Sequence, residues 1–346
     1  VAHLDLSALG RTIRLDLAAD LPAEVEARVR DAWAGGTISA TIPDAVLPVE
    51  PAADADRMLE RLSVEVTLRA LDLTRGSLRL FHAAGIAADD GRVAAFVGPS
   101  GRGKTTLSRT LGAHFGYVSD ETVGVASDLT VLPYRKPLSI VREGHPKQQV
   151  APGAAGLRDL PAAPLRLAAL VLLDRQGDIG TPRIEPVPFD RALLELVPQM
   201  SYLGDFAHPL QTLAGLVQAV GGVRRVTYSE ASDLVSVMDE LLAPTGEPAA
   251  WRPALPVRGG TAQSPSGDVT DAVEADGIVA VYARGRVHIL AGIAPAVWQG
   301  LEAGLDRRAI VEHVVEQHGR PPVGEATELV DAAIVELTRE GLLRAA

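Results

Sequence analysis

The residues best suited to chemistry lie in FVGPSGRGKTTLSRTLG, positions 96–112. Here Gly98-Pro99-Ser100-Gly101-Arg102-Gly103-Lys104-Thr105 matches the pattern G-x-x-x-x-G-K-[ST] at every fixed position. Each residue type has a physical reason. The glycines let backbone N–H groups curl around a β-phosphate, and the N-terminus of the helix that follows adds partial positive charge. Lys104 is suited to neutralising β and γ oxygens, and the Thr105 hydroxyl to binding Mg²⁺. The expected nucleotide-binding set is Gly98, Ser100, Gly101, Arg102, Gly103, Lys104, Thr105 and Thr106. Such a loop predicts a bound nucleoside triphosphate with Mg²⁺. It does not say where the phosphate goes.

Phosphoryl transfer also needs an acidic metal ligand and a group that orients the nucleophile. Asp174 ends the apolar run LAALVLLD and has the form of a Walker B aspartate. Asp120-Glu121 in YVSDETV follow sixteen and seventeen residues after Lys104. The residues alone leave both assignments open, and ordinary strand-end carboxylates are a third reading. His82, a lone histidine on the apolar stretch LFHAAGIAADD, reads by itself as a structural histidine. Only three of the 33 basic residues are lysines: Lys104, Lys136 and Lys147. In YRKPLSI, Arg135 and Lys136 read either as a solvated basic turn or as a clamp on phosphate or acceptor peptide.

The elements that would position these groups suggest three regions. Residues 1–75 form an N-terminal α/β accessory region, in which Leu21, Val25, Val29 and Trp33 recur at helical spacing. TISATIPDAVLPVEPAADAD predicts a loop, and the alternation in LSVEVTLRALDL predicts a strand. Residues 76–250 read as an α/β nucleotide-binding domain: strand RVAAFVG, helix GKTTLSRTLGAHF, strand YVSDETVGVA, strand LRLAALVLLD, then the helical HPLQTLAGLVQAVGG and SEASDLVSVMDELLA. Residues 251–269 are rich in Pro, Gly and Ser and read as a linker. Residues 270–346 predict a hairpin, two runs joined around Ala283-Arg284-Gly285, followed by three helices. Ile310, Val311, Val314 and Val315 would be the buried stripe of the second helix. Leu329, Ala332, Ala333, Leu337 and Leu342 would play that part in the third. A hairpin with three helices is a winged-helix-like arrangement.

Composition narrows the function classes. A net charge of −11 argues against nucleic acid as a partner, because phosphate backbones need a basic surface. Residues 264–346 carry 13 acidic and 7 basic side chains, which does not suit a DNA-binding winged helix. With no cysteine there is no disulfide and no thiolate metal site. No apolar run reaches membrane-spanning length and the N-terminus lacks a signal-peptide pattern, so the expectation is a cytoplasmic protein with no membrane partner. The oligomeric state stays open, a homo-oligomer among the options.

The stretch from Leu80 to about Leu138 resembles the catalytic core of the HPr kinase/phosphorylase family, P-loop kinases that phosphorylate a protein serine. His82, GPSGRGKTT, VSDET and YRKPLSI follow in the family's order. The resemblance implies ATP and Mg²⁺ as cofactors, Asp120 as the acid that polarises the acceptor hydroxyl, and Glu121 near Mg²⁺. It also places His82 and Lys104 beside the phosphates. Glu121 stands where the family has Asp, and no phosphorylase signature follows, so kinase activity is expected without phosphorolysis. Residues 264–346 resemble PqqD-like domains, which bind the leader of precursor peptides along a hairpin edge; Glu336-Leu337 through Gly341-Leu342-Leu343 carry the ending. Together the two resemblances imply a Ser/Thr kinase acting on a ribosomally made precursor peptide, of lasso-peptide type. The alternatives are a regulatory kinase of a folded protein and a non-catalytic, nucleotide-gated peptide-binding module.

Overall fold

The structure, a computed structural model, describes residues 2–40, 42–99, 103–142, 145–244, 249–255 and 267–344. Ser100, Gly101 and Arg102 therefore lie outside the described residues, as does most of the expected linker. The chain forms two compact units. One comprises residues 1–187, 199–202 and 223–246; the other comprises 188–198, 203–222 and 247–346.

The first unit opens with strands β1 (Ala2–Ala8) and β2 (Arg11–Leu17), helix α1 (Ala23–Trp33), strands β3 (Thr37–Ile38) and β4 (Ala45–Val49), and helix α2 (Ala55–Thr74). The strands form one sheet in the order β3-β1-β2-β4. The expected loop thus contains β3 and β4, two edge strands too short to show an alternating pattern.

α2 corrects the expected strand over LSVEVTLRALDL. Its β-branched residues favour a strand, but the larger pattern is helical, with Met58, Leu59, Leu62, Val66 and Ala70 buried on one face. Each large buried chain is worth about 1.5–3 kcal/mol. Helix propensities differ only by tenths of a kcal/mol. Asp54 starts the helix by accepting from the backbone N–H groups of Asp56 and Arg57. The apolar cluster beneath this sheet includes Trp33, Leu59 and Val66, and it also takes in Leu78, Leu80 and Tyr134. The N-terminal region therefore shares a core with the region that follows.

Strands β5 (Arg79–Ala87) and β6 (Arg92–Val97) lead into helix α3 (Lys104–Gly112). Then come β7 (Gly116–Ser119), β8 (Thr122–Val125), β9 (Val131–Leu132), the hairpin β10 (Leu138–Arg142) and β11 (His145–Val150), β12 (Arg166–Arg175) and β13 (Arg183–Val187). Helix α4 (Phe189–Leu196) belongs to the second unit, β14 (Met200–Ser201) to the first, and helix α5 (Pro209–Ala219) to the second. β15 (Val223–Tyr228) and helix α6 (Met238–Leu242) complete the first unit. The main sheet runs β13-β15-β12-β6-β5-β8-β9. β6, β12 and β15 are mutually parallel neighbours. This is a mixed α/β sheet with a parallel core, in which β6 precedes α3 across the G-x-x-x-x-G-K-[ST] segment, an arrangement consistent with a P-loop core. The expected continuous strand YVSDETVGVA is broken at Asp120-Glu121, which form the turn between β7 and β8.

The second unit adds β16 (Trp251–Pro253), β17 (Val269–Ala275), β18 (Ile278–Ala283) and β19 (Arg286–Leu290), a four-stranded antiparallel sheet in that order. Helices α7 (Ala294–Glu302), α8 (Arg307–His318) and α9 (Ala326–Arg339) follow. The expected hairpin is thus a three-stranded meander. Asp276-Gly277 and Arg284-Gly285 have positive φ at both positions, which two-residue hairpin turns require. β16 comes from the expected linker.

In α8 the fully buried pair is Ile310 and Val314. In α9 Val330 and Leu337 are buried, whereas Leu329 is 44% exposed, correcting its expected place in the stripe. α5, which the sequence pattern groups with the nucleotide-binding region, is tied to β17. The fully buried Asp271 accepts from the backbone N–H of Gln211 at 3.0 Å and from its side-chain amide at 2.8 Å. Among the described residues no helix is long and apolar enough to cross a membrane.

Candidate functional site

Gly103 is the N-cap of α3 with φ +85, a left-handed conformation that a side chain would strain. Among the described residues no side chain caps that helix, so its first N–H groups are open to an anion. Lys104 is buried and donates to the carbonyls of Gly98 (2.5 Å) and Pro99 (3.1 Å), which holds its ammonium inside the loop. Burial lowers its pKa, and the charge of Glu121 partly restores it. Thr105 and Thr106 are exposed on the first turn.

Asp120 and Glu121 reach this loop through the sheet. β5 pairs with β6 on one side and with β7 and β8 on the other. The Ser119 hydroxyl accepts from the N–H groups of Glu121 (3.2 Å) and Thr122 (3.1 Å), which shapes the turn. His82 pairs with Thr122, and its Nδ1 lies 3.1 Å from the Glu121 carbonyl, so in the neutral ring Nδ1–H donates there. Burial, then the charge of Lys104, lower the His82 pKa; Glu121 and Asp120 oppose them. A lowered pKa favours the neutral ring, in which Nε2 is the acceptor when Nδ1–H donates to Glu121.

Asp120 is only 7% exposed. Burial raises its pKa, while Lys136 and a hydrogen bond from Tyr117 pull it back. Lys136 is 6% exposed, and its Nζ lies 3.0 Å from Glu121 Oε2. Burial works against its charge, but Asp120 and Glu121 outweigh that and raise its pKa. Lys136 thus points inward, onto the acidic pair. Arg135 is engaged separately, with Asp159 at 2.9 Å.

Asp174 lies near the end of β12, two residues past Leu172, which pairs with Val97 at the end of β6. It accepts from the Gln176 amide at 2.7 Å. It stands at the end of the strand beside β6, yet the carboxylate whose charge bears on Lys104 is Glu121, and those bearing on His82 are Glu121 and Asp120. The structure therefore brings together His82, Lys104, Asp120, Glu121 and Lys136. The pattern missed Tyr117, because a tyrosine on a buried strand carries no signal of its own.

Among the described residues no group of three His, Asp or Glu side chains is set to hold a metal. The donors present still fit Mg²⁺, which takes one or two carboxylates and completes its shell with phosphate oxygens and water. The uncapped α3 N-terminus and the loop-held Lys104 suit those phosphates.

In the second unit a groove of about 530 Å³ lies between β19 and α9, lined by His288, Leu290, Ile293, Leu329, Leu337 and Glu340 among others. Among the described residues β19 pairs only with β18, leaving one edge of the sheet unpaired.

No family model matches this chain. No curated protein matches it either. Among solved structures it is similar to the Hpr(Ser) kinase/phosphatase from Coxiella burnetii, at 14% identity and a TM-score of 0.27, over 47% of this chain and 93% of that one.

Proposed function

We propose that the protein is an ATP-dependent kinase that phosphorylates a Ser or Thr hydroxyl of a ribosomally made precursor peptide of lasso type. The observation that carries this reading is the convergence of the buried Lys104, the half-buried His82, the buried Asp120 and the part-exposed Glu121 beside the G-x-x-x-x-G-K-[ST] segment. The ATP phosphates would rest on the N-terminus of α3 and Lys104. Mg²⁺, held by Thr105 and Glu121, would supply charge neutralisation of the phosphates. Asp120 accepts the hydroxyl proton as the new O–P bond forms and the bond to the β-phosphate oxygen breaks, releasing ADP. Its raised pKa makes it a better proton acceptor than an exposed carboxylate.

The second unit would hold the leader. An extended peptide adding to the free edge of β19, with apolar side chains in the groove beside α9, matches strand-addition recognition. Holding the leader raises the effective concentration of the acceptor. Incubation with γ-labelled ATP and a candidate precursor tests the reading. Label on a peptide Ser or Thr, lost in Asp120→Asn, supports it. Full activity in Asp120→Asn with none in Asp174→Asn would move the role to Asp174. Label on a folded protein, with no discrimination for the leader, would favour the regulatory kinase.

A further inference from the structure

The Tyr117 hydroxyl donates to Asp120 Oδ1 at 3.0 Å. Tyr117 is fully buried on β7, opposite Ile86 of β5. It packs with Leu138 and Leu157, and Leu138 follows the segment that carries Lys136. Gly112, the last residue of α3, lies so close that an added Cβ would come within 3.4 Å of Tyr117 Cβ. The base of the Tyr117 side chain therefore lies beside the end of α3, while its hydroxyl reaches the carboxylate. On the other side, Lys136 engages Glu121. A phenylalanine or leucine would fill the same space, so packing alone does not call for the hydroxyl.

We propose that Tyr117 is a positioning residue for Asp120: it engages Oδ1 and so leaves Oδ2 as the oxygen presented to the acceptor hydroxyl. This rests on the reading of Asp120 as proton acceptor. Tyr117 touches neither substrate nor reacting atoms; it acts through Asp120. Its burial next to a carboxylate raises its own pKa, so the hydroxyl stays protonated and remains a donor.

The test is a double-mutant cycle in the full chain, reading ADP formed from MgATP with a Ser/Thr peptide. Tyr117→Phe should lower kcat roughly ten- to a hundred-fold, the worth of a hydrogen bond to a charged group, with KM for ATP unchanged. In an Asp120→Asn background, Tyr117→Phe should cause no further loss, because an amide at 120 accepts no proton and orienting it no longer serves the transfer. Site-specific 3-fluorotyrosine at 117, which keeps the hydroxyl, should retain activity even if the Phe variant folds poorly. Full kcat in Tyr117→Phe beside an inactive Asp120→Asn overturns the inference and leaves the proposed function standing. So does an equal, multiplicative loss in both backgrounds. An Asp120→Asn variant as active as the unmodified chain overturns the proposed function, and the inference with it.

Discussion

Lys136 has the chemistry of a surface phosphate clamp but the position of an internal counter-charge. It is 6% exposed and faces two carboxylates, one of them at 3.0 Å. Lys136→Met should therefore lower kcat at least as much as KM for the peptide changes. A residue that only bound peptide would move KM alone. The pH profile gives a second readout. If Asp120 is the proton acceptor proposed above, it must be ionised to act, so activity should fall as pH drops through its pKa. Removing a cation that lowers that pKa lets burial raise it further, and the acidic limb of kcat should shift to higher pH. An unmoved limb would show that Lys136 does not act on Asp120. Spacing made Lys104 identifiable because eight consecutive residues define its role. Lys136 and Tyr117 were not legible in this way, since their partners lie across a fold-dependent gap.

At the scale of elements, Gly103 and Asp271 make the local rules testable. A Cβ at Gly103 would meet nothing within 4 Å, so the objection to a side chain there is its φ of +85 alone. Gly103→Ala should cost about 1–2 kcal/mol of local strain and weaken ATP binding more than global stability, as isothermal titration beside thermal melts would show. Asp271→Ala should destabilise the second unit by about 1–2 kcal/mol, because it removes the partner of the part-buried N–H and side-chain amide of Gln211 at the start of α5. Hydrogen exchange confined to α5 and β17 would check it. The strongly periodic helices α1, α3, α8 and α9 and the apolar strand β12 were readable because one face of each is buried continuously. α2 was misread because its β-branched residues alternate over a short window, while the burial that makes it a helix spans twenty residues. β16 and β4 were missed because an edge strand pairs on one side only and need not alternate.

At the scale of the molecule, the proposed leader site predicts selectivity between substrates. Leu329 is exposed in the groove, so Leu329→Arg should leave the fold intact. It should raise KM for a full-length precursor several-fold and leave a leaderless peptide unaffected; equal effects on both would remove the groove from the scheme. A point variant is the better probe than truncation, since α5 packs with the C-terminal strands and loses its Asp271 cap when they are deleted. The G-x-x-x-x-G-K-[ST] motif, the helix it opens and the acidic character of the C-terminal region are legible in consecutive residues and composition. The nearness of Asp120 and Glu121 to His82, the inward turn of Lys136, the Tyr117–Asp120 hydrogen bond and the joining of α5 to the C-terminal strands come from the fold. Each of these depends on sheet pairing between segments distant in the chain, and pairing is chosen by the burial of whole faces.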